Sequence, residues 1–248
     1  MFSGIKGKKI LITGSSSGIG ACTAELFASY GADVGIHYGQ NIDKAKIALE
    51  NVKKYGVQGK LFQADFLTDN ADNIIDEFLD CFGRIDVLVN NAGAVYGNMD
   101  FLEMDEESWN KTLTASLKTP FFISKKAFIS MKKIGGGKII NISSIASKYG
   151  GSAKTLHYGV AKSGLDAITK TMAREGAEYN ILVNSIQPGV IDTEFHKKIG
   201  RNSLIERAQK IPLKRAGKPE DVAGMCLFLA SNYGNYITGQ IFGVTGGD

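Results

Sequence analysis

Tyr158 and Lys162 stand four residues apart in "YGVAK", a spacing that puts a phenol and an ammonium on one helix face, one turn from each other. With a free pKa of about 10, a tyrosine is a poor acid or base near neutrality. A positive charge about 4 Å away is worth roughly 4 kcal/mol at an effective dielectric of about 20, equivalent to about three pKa units. That is enough to bring the phenol towards neutral pH as a proton donor. The pair alone decides nothing, because nine tyrosines among abundant lysines make one chance pair of this spacing expected.

A second stretch with chemical content is "LITGSSSGIG" at residues 11–20. Two apolar residues and a threonine run into Gly14, Gly18 and Gly20, interleaved with Ser15, Ser16, Ser17 and Ile19. Unpaired backbone N–H groups at a helix start, at the positive end of the helix dipole, make an anion site, and glycines let a pyrophosphate approach. Gly14 and Gly18 are four apart here, whereas the first two glycines of the commoner dinucleotide fingerprint are two apart. A tight strand-to-helix turn that binds nothing would read the same way.

The elements that must position these groups alternate from end to end. "KKILIT", "ADVGIHY", "KLFQAD", "IDVLVN", "GKIINIS", "ILVNSIQP" and "GQIFGV" read as strands, most of them apolar enough for burial on both faces. Residues 18–30, 41–55, 70–82, 106–133, 155–178 and 219–231 carry helical periodicity. Such alternation predicts βαβ units. The expected fold is α/β: a single domain over residues 1–248, a Rossmann-type doubly wound parallel sheet of about seven strands with helices on both faces. Residues 191–218 break the pattern with charge, short helical stretches and turn residues, and are expected to form a substrate lid within that domain.

Composition removes several other classes. Hydrophobic residues make up 44% and charged residues 22% of 248, ordinary for a globular protein with a large core. No apolar run approaches a membrane span, and "MFSGIKGKKI" lacks the apolar segment of a signal peptide, so a cytoplasmic protein without a membrane partner is expected. Cys22, Cys81 and Cys226 read as reduced core thiols. His37, His157 and His196 show no ligand spacing, which predicts no metal site. A formal charge of +4 with scattered lysine pairs argues against nucleic acid and suits a phosphate-bearing small molecule.

"TGSSSGIG", "NNAG", "ISS", "YGVAK" and "QPGVIDT" stand in the order and approximate spacing of the short-chain dehydrogenase/reductase family, which the sequence resembles over essentially its whole length. The resemblance implies hydride transfer between a nicotinamide and a carbonyl or secondary alcohol. Such a reaction needs the nicotinamide held in place and a proton delivered as charge develops on the oxygen. Tyr158 is then the expected donor. Lys162 lowers its pKa and, as the resemblance implies, grips the nicotinamide ribose. Ser144 orients the substrate oxygen, with neighbouring Ser143 the alternative because adjacent strand residues face opposite ways.

For the cofactor, the resemblance implies contacts from Gly14, Ser15, Ser17, Gly18, Ile19 and Gly20, and from His37 and Tyr38 at the end of the second strand. Asp65 would meet the adenine amino group beside Phe66. Asn91, Ala92 and Gly93 would line the adenosine side. Pro188, Gly189 and Val190 would lie against the nicotinamide, with Thr193 reaching its amide. One departure stands out: "WNKTLTASLKTPFF" puts Ser116 where the family has a catalytic asparagine that holds a water linking the lysine to solvent.

No carboxylate closes the second strand in "IHYGQN", and His37, Gln40 and Lys44 would tolerate a 2′-phosphate, so NADP is expected, with NAD the alternative. "PLKRAGKPEDVA" and "YITGQIFGVTGG" look most like 3-oxoacyl-acyl-carrier-protein reductases, making acyl carrier protein a candidate partner and Lys132, Lys133 and Lys148 its candidate contacts. Sugar, polyol and other small-ketone dehydrogenases bear the same marks. A catalytically impaired NADP-binding regulator is the reading from another class. The family habit implies a homotetramer.

Overall fold

The computed structural model describes residues 2–68, 70–195 and 204–248. Seven strands, β1 Lys9–Ile12, β2 Asp33–Tyr38, β3 Gly59–Gln63, β4 Val87–Asn90, β5 Gly137–Ile142, β6 Ile181–Pro188 and β7 Ile241–Val244, form one sheet in the order β3-β2-β1-β4-β5-β6-β7. Every neighbouring pair is parallel. The chain winds outward from β1 in one direction and then from β4 in the other. A crevice opens where the order reverses, at the carboxyl ends of β1 and β4.

The strands are apolar on both faces because helices cover both. Alternate side chains of β1 divide between two cores: Ile10 and Ile12 pack with Phe27, Val34, Ile36, Val222 and Leu227, whereas Leu11 packs with Phe78, Leu88, Ile123, Met131, Ile139 and Val183. The first core lies under α1 Gly18–Ser29, α2 Ile42–Lys53 and the helix Pro219–Ala230; the second lies under α3 Ile74–Phe82, the helix Thr119–Lys133 and the helix Leu156–Gly176. Burial of this apolar area drives the fold.

The expected helix over 106–133 is interrupted. It consists of α4 Glu106–Leu113, a π-helical turn Thr114–Lys118, and α5 Thr119–Lys133. Pro120 has no N–H to give the Ser116 carbonyl four residues earlier, so the regular ladder fails there. The turn places Ser116 on the inner wall, fully buried. After β5 come α6 Ala146–Tyr149 and α7 Leu156–Gly176; α8 Leu204–Lys210 and α9 Pro219–Ala230 follow β6.

Cys226 is buried and Cys22 half-buried, but Cys81 is exposed, correcting the expectation of three core thiols. The apolar face of α3 is Ile74, Ile75, Phe78 and Phe82, and residue 81 lies at the margin of that face, on its solvent side. Among the described residues no helix is long and apolar enough to cross a membrane. The expected lid leaves and rejoins the sheet at one place: Ile191 pairs with Gly217, and the Asp192 N–H donates to the Gly217 carbonyl at 2.8 Å. Residues 196–203 of it lie outside the described residues.

Gly35 in the middle of β2 lets α3 close onto the sheet, since a Cβ there would stand 2.7 Å from the Phe78 ring and 2.9 Å from that of Phe62. Gly35→Val is expected to lower stability to denaturant by about 1–3 kcal/mol through overpacking. An unchanged midpoint would mean that the Phe62, Phe78 and Phe82 cluster moves aside freely.

Candidate active site

The glycine turn after β1 is fastened from within. The side chain of Asn91 donates to the carbonyls of Thr13 (2.9 Å) and Gly14 (3.0 Å), while the Thr13 hydroxyl oxygen accepts from the N–H groups of Asn91 and Ala92, both at 3.0 Å. Ser15, fully buried, donates its hydroxyl to the Ile12 carbonyl. Gly14 and Gly18 take φ of +63° and +56°, which other residues adopt only with strain. At Gly20 a Cβ would meet the Gly14 carbonyl oxygen at 2.4 Å, so only glycine lets α1 begin this close to the turn.

What remains pointing outward is the start of α1. Ser17 gives it no side-chain cap and its first turn holds no acid, whereas α2 has the Asn41 cap with Asp43, and α4 the Asp105 cap with Glu106 and Glu107. Unpaired N–H groups and an uncompensated dipole suit the pyrophosphate of a dinucleotide. Thr193 overlies this turn: a Cβ on Gly18 would lie 3.4 Å from its methyl group. The residues present therefore fit a nicotinamide dinucleotide.

The end of β2 departs from expectation. His37 is only 3% exposed and uses both ring nitrogens inside the fold. Nδ1 accepts the Gly14 N–H at 2.8 Å, and Nε2 lies 3.0 Å from the Ala64 carbonyl, so the proton sits on Nε2. Burial pushes the imidazole pKa down to about 4 against the opposing Ala64 hydrogen bond. His37 thus does not offer a cation to a 2′-phosphate, and Ser15 faces inward as well. Lys44 is ion-paired with Glu194 at 2.5 Å across the mouth of the cleft. Tyr38 is buried with its hydroxyl donating to Gln63, and Asp65 is exposed past the end of β3, its carboxylate accepting the Leu67 N–H. Phe66 stacks on His37, ring centroids 4.7 Å apart.

The other half of the crevice is organised by α7, which turns Tyr158, Lys162 and Asp166 towards the sheet at one-turn intervals. Lys162 is 2% exposed; its ammonium donates to the Ile142 carbonyl at 2.7 Å and lies 5.6 Å from the Tyr158 ring centroid. Burial lowers its pKa to about 8, opposed by the Asp166 carboxylate. Asp166 is held by Ser185 (2.6 Å) and Gln187 (2.9 Å). Gly93, Ser116 and Lys162 converge: a Cβ on Gly93 would stand 3.3 Å from both the Lys162 ammonium and the Ser116 hydroxyl.

Ser116 donates to the Ala94 carbonyl (2.9 Å) and accepts from the Ala94 N–H (3.1 Å). The two adjacent serines separate cleanly. Ser143 is buried, donating to the Lys162 carbonyl, whereas Ser144, in the turn just past β5, is half-buried and accepts the Ala146 N–H. Pro188 is buried and accepts the Ile145 N–H; Gly189 rests on Thr245 and Val190 is buried in the wall beside Gly217. Sequence reasoning missed Thr13 and Asp166. The four-residue step from Lys162 to Asp166 was the available signal for the second.

A buried neutral imidazole ties stability to pH. The unfolded chain takes up this proton near pH 6.5 and the folded one only near 4, so stability rises with pH across that window. Folding is expected to weaken by up to about 3 kcal/mol from this group as pH falls from 6.5 to 4. Denaturant midpoints of the protein and of His37→Asn, compared at both pH values, check it; equal slopes for the two would refute it.

Residues 14–248 match the family model described as "Enoyl-(Acyl carrier protein) reductase". The chain is 37% identical over 242 residues to a 3-oxoacyl-acyl-carrier-protein reductase of Chlamydia pneumoniae, covering 97% of this chain and 96% of the relative. A Thermotoga maritima protein of the same description is 38% identical, with 98% of both chains covered. Among solved structures, acetoin dehydrogenase from Salmonella typhimurium superposes with a TM-score of 0.88 at 32% identity, covering 97% of this chain and 96% of that one. With strand order, glycine turn and the Tyr158–Lys162 step all agreeing, the chain belongs to the short-chain dehydrogenase/reductase family and is an NAD(P)-dependent oxidoreductase.

Proposed function

We propose that this chain reduces a 3-oxoacyl thioester with NADPH, Tyr158 delivering the proton. The observation that carries the mechanism is the buried Lys162 ammonium, fixed by the Ile142 carbonyl one helical turn beyond Tyr158. A bound nicotinamide supplies the hydride. Tyr158 donates its phenolic proton to the carbonyl oxygen, and the Lys162 charge stabilises the phenolate left behind. Ser144 donates a hydrogen bond to the same oxygen as negative charge gathers on it. Asp166 keeps the ammonium charged despite its burial.

NADPH is supported by Gly39, Gln40 and Asn41, which follow β2 without a carboxylate to repel a 2′-phosphate. The acyl substrate, with acyl carrier protein as its bearer, is supported by the names of the Chlamydia and Thermotoga relatives. A small hydroxyketone or diketone is the second reading. It is favoured by the acetoin dehydrogenases of Salmonella typhimurium and Enterobacter cloacae, and by the Phe195 ring 5.8 Å from that of Tyr158, which narrows the approach. The excursion through α8 serves as the substrate lid in either case. Exposed Phe122 and Ile129 on α5 and Val160 on α7 support burial between copies, in a cytoplasmic homotetramer.

Two measurements test this. Oxidation of NADPH by acetoacetyl thioester should exceed that by diacetyl, and Tyr158→Phe should lower it about 10²- to 10⁴-fold without loss of NADPH binding; the reverse substrate order would favour the small-ketone reading. Reduction should also fall on the alkaline side with an apparent pKa near 8, a property of the Tyr158–Lys162 pair as the ammonium loses its charge. A flat profile to pH 10 would refute the role of Lys162.

A further inference from the structure

His37 connects three segments of chain through one imidazole. On the glycine-turn side, Nδ1 accepts the Gly14 N–H (2.8 Å), and the backbone N–H of His37 donates to the Ser15 hydroxyl (3.1 Å) while its carbonyl accepts the Ser15 N–H (2.9 Å). On the opposite side, Nε2–H donates to the Ala64 carbonyl (3.0 Å) in the turn that follows β3. Below, the ring stacks on Phe66 of the same turn at an interplanar angle of 24°, and Phe66 is anchored through its carbonyl to the Thr119 hydroxyl at 2.8 Å. The imidazole therefore spans from Gly14 to Ala64, with one nitrogen satisfying a backbone donor and the other a backbone acceptor. Nothing short and apolar at position 37 can do both.

We propose that His37 is a positioning residue for the dinucleotide, a neutral spacer that sets the distance between the glycine turn and the Ala64–Phe66 turn. This rests on the dinucleotide reading above and deepens it. The glycine turn holds the outward N–H groups at the start of α1, and the Ala64–Phe66 turn carries Asp65, so the two turns flank the adenosine half of the site. Freed from Nδ1, the half-buried Gly14 N–H loses its partner, and the turn must shift or admit a water to satisfy it. The effect falls on cofactor affinity rather than on the chemical step, which is built on α7 and β5.

The two ring nitrogens can be replaced separately. His37→Phe keeps the stack on Phe66 and removes both hydrogen bonds; His37→Asn returns an acceptor at the distance of Nδ1 from the backbone. For His37→Phe, NADPH dissociation measured by fluorescence titration is expected to weaken about tenfold or more. The rate at saturating NADPH should stay within about twofold, and the Gly14 amide of the ligand-free protein should exchange its hydrogen faster. His37→Asn should recover most of the affinity and of the Gly14 protection. Unchanged NADPH affinity in a folded His37→Phe, or a His37→Asn that folds like the wild type yet binds no better than His37→Phe, would overturn the proposal. Failure of the wild-type protein to bind any nicotinamide dinucleotide would instead overturn the dinucleotide reading. Gly14 exchange in the ligand-free protein tests the hydrogen bond independently of both.

Discussion

The site depends on burying one ammonium. Taking a lysine charge out of water costs several kcal/mol unless partners replace the lost hydration, and Lys162 sits in the protein at 2% exposure. Its partners are a carbonyl at the end of β5 and the field of Asp166 one turn along. Both work only if α7 is seated firmly on the sheet. Three sets of contacts seat it. Asp166 ties to Ser185 and Gln187 on β6. Thr169 accepts from Asn141, which accepts in turn from its register partner Asn90 on β4. Gly159 lets the Gly150 carbonyl come so close that a Cβ would overlap it at 2.3 Å. The Asn90–Asn141–Thr169 chain crosses the sheet in the interior, with the Asn90 amide nitrogen also donating to Ser124 and its Oδ1 left unpaired, and it fixes which residues of β4 and β5 face α7.

The crevice sorts its backbone groups into two kinds. Those facing the protein are satisfied by dedicated side chains: Thr13 and Asn91 on one flank of the glycine turn, Ser15 and His37 on the other. Those at the start of α1 have no side-chain cap, although the exposed starts of α2 and α4 are capped and carry acids. Evolved sequences rarely leave a helix end bare when a serine already occupies the cap position, unless something else is to meet it. The rigid inner fastening is what allows the outer groups to hold a fixed direction without a ligand, so binding costs little reordering.

Much of this could be read from the chain. Strand composition gave the parallel sheet because β1 and β4 have no polar face to show, and the order of the short motifs gave the site because each follows the carboxyl end of a strand. What could not be read is which way a side chain turns and what meets it. His37, one step from the end of β2, looked like a surface group available to a phosphate; whether it faces in or out depends on the Ala64 turn, 27 residues away in sequence. Cys81 looked apolar by its neighbours, and only the packing of α3 showed that it lies at the exposed margin of the buried face. The π-helical turn needed both Pro120 and the pull of Ala94 on Ser116, a contact spanning 22 residues. Lys44 had a visible charge but an invisible partner in Glu194, 150 residues distant.

Ser116 shows how such a long-range contact changes the meaning of a substitution. In place of a longer amide, a hydroxyl offers one proton and two lone pairs. The proton goes to the Ala94 carbonyl and one lone pair to the Ala94 N–H, so the side chain first of all clamps the segment that carries Gly93. Gly93 in turn has the Lys162 ammonium and the Ser116 hydroxyl at equal distance from where its Cβ would be. The Ser116 hydroxyl and the Lys162 ammonium thus line the same small gap beside Gly93, one tied to Ala94 and the other to Ile142. A serine here is tied to the Ala94 backbone, where an asparagine would extend past it. The π-helical turn is where that side chain meets the Ala94 backbone, so the irregular turn and the clamp on Gly93 coincide at one residue.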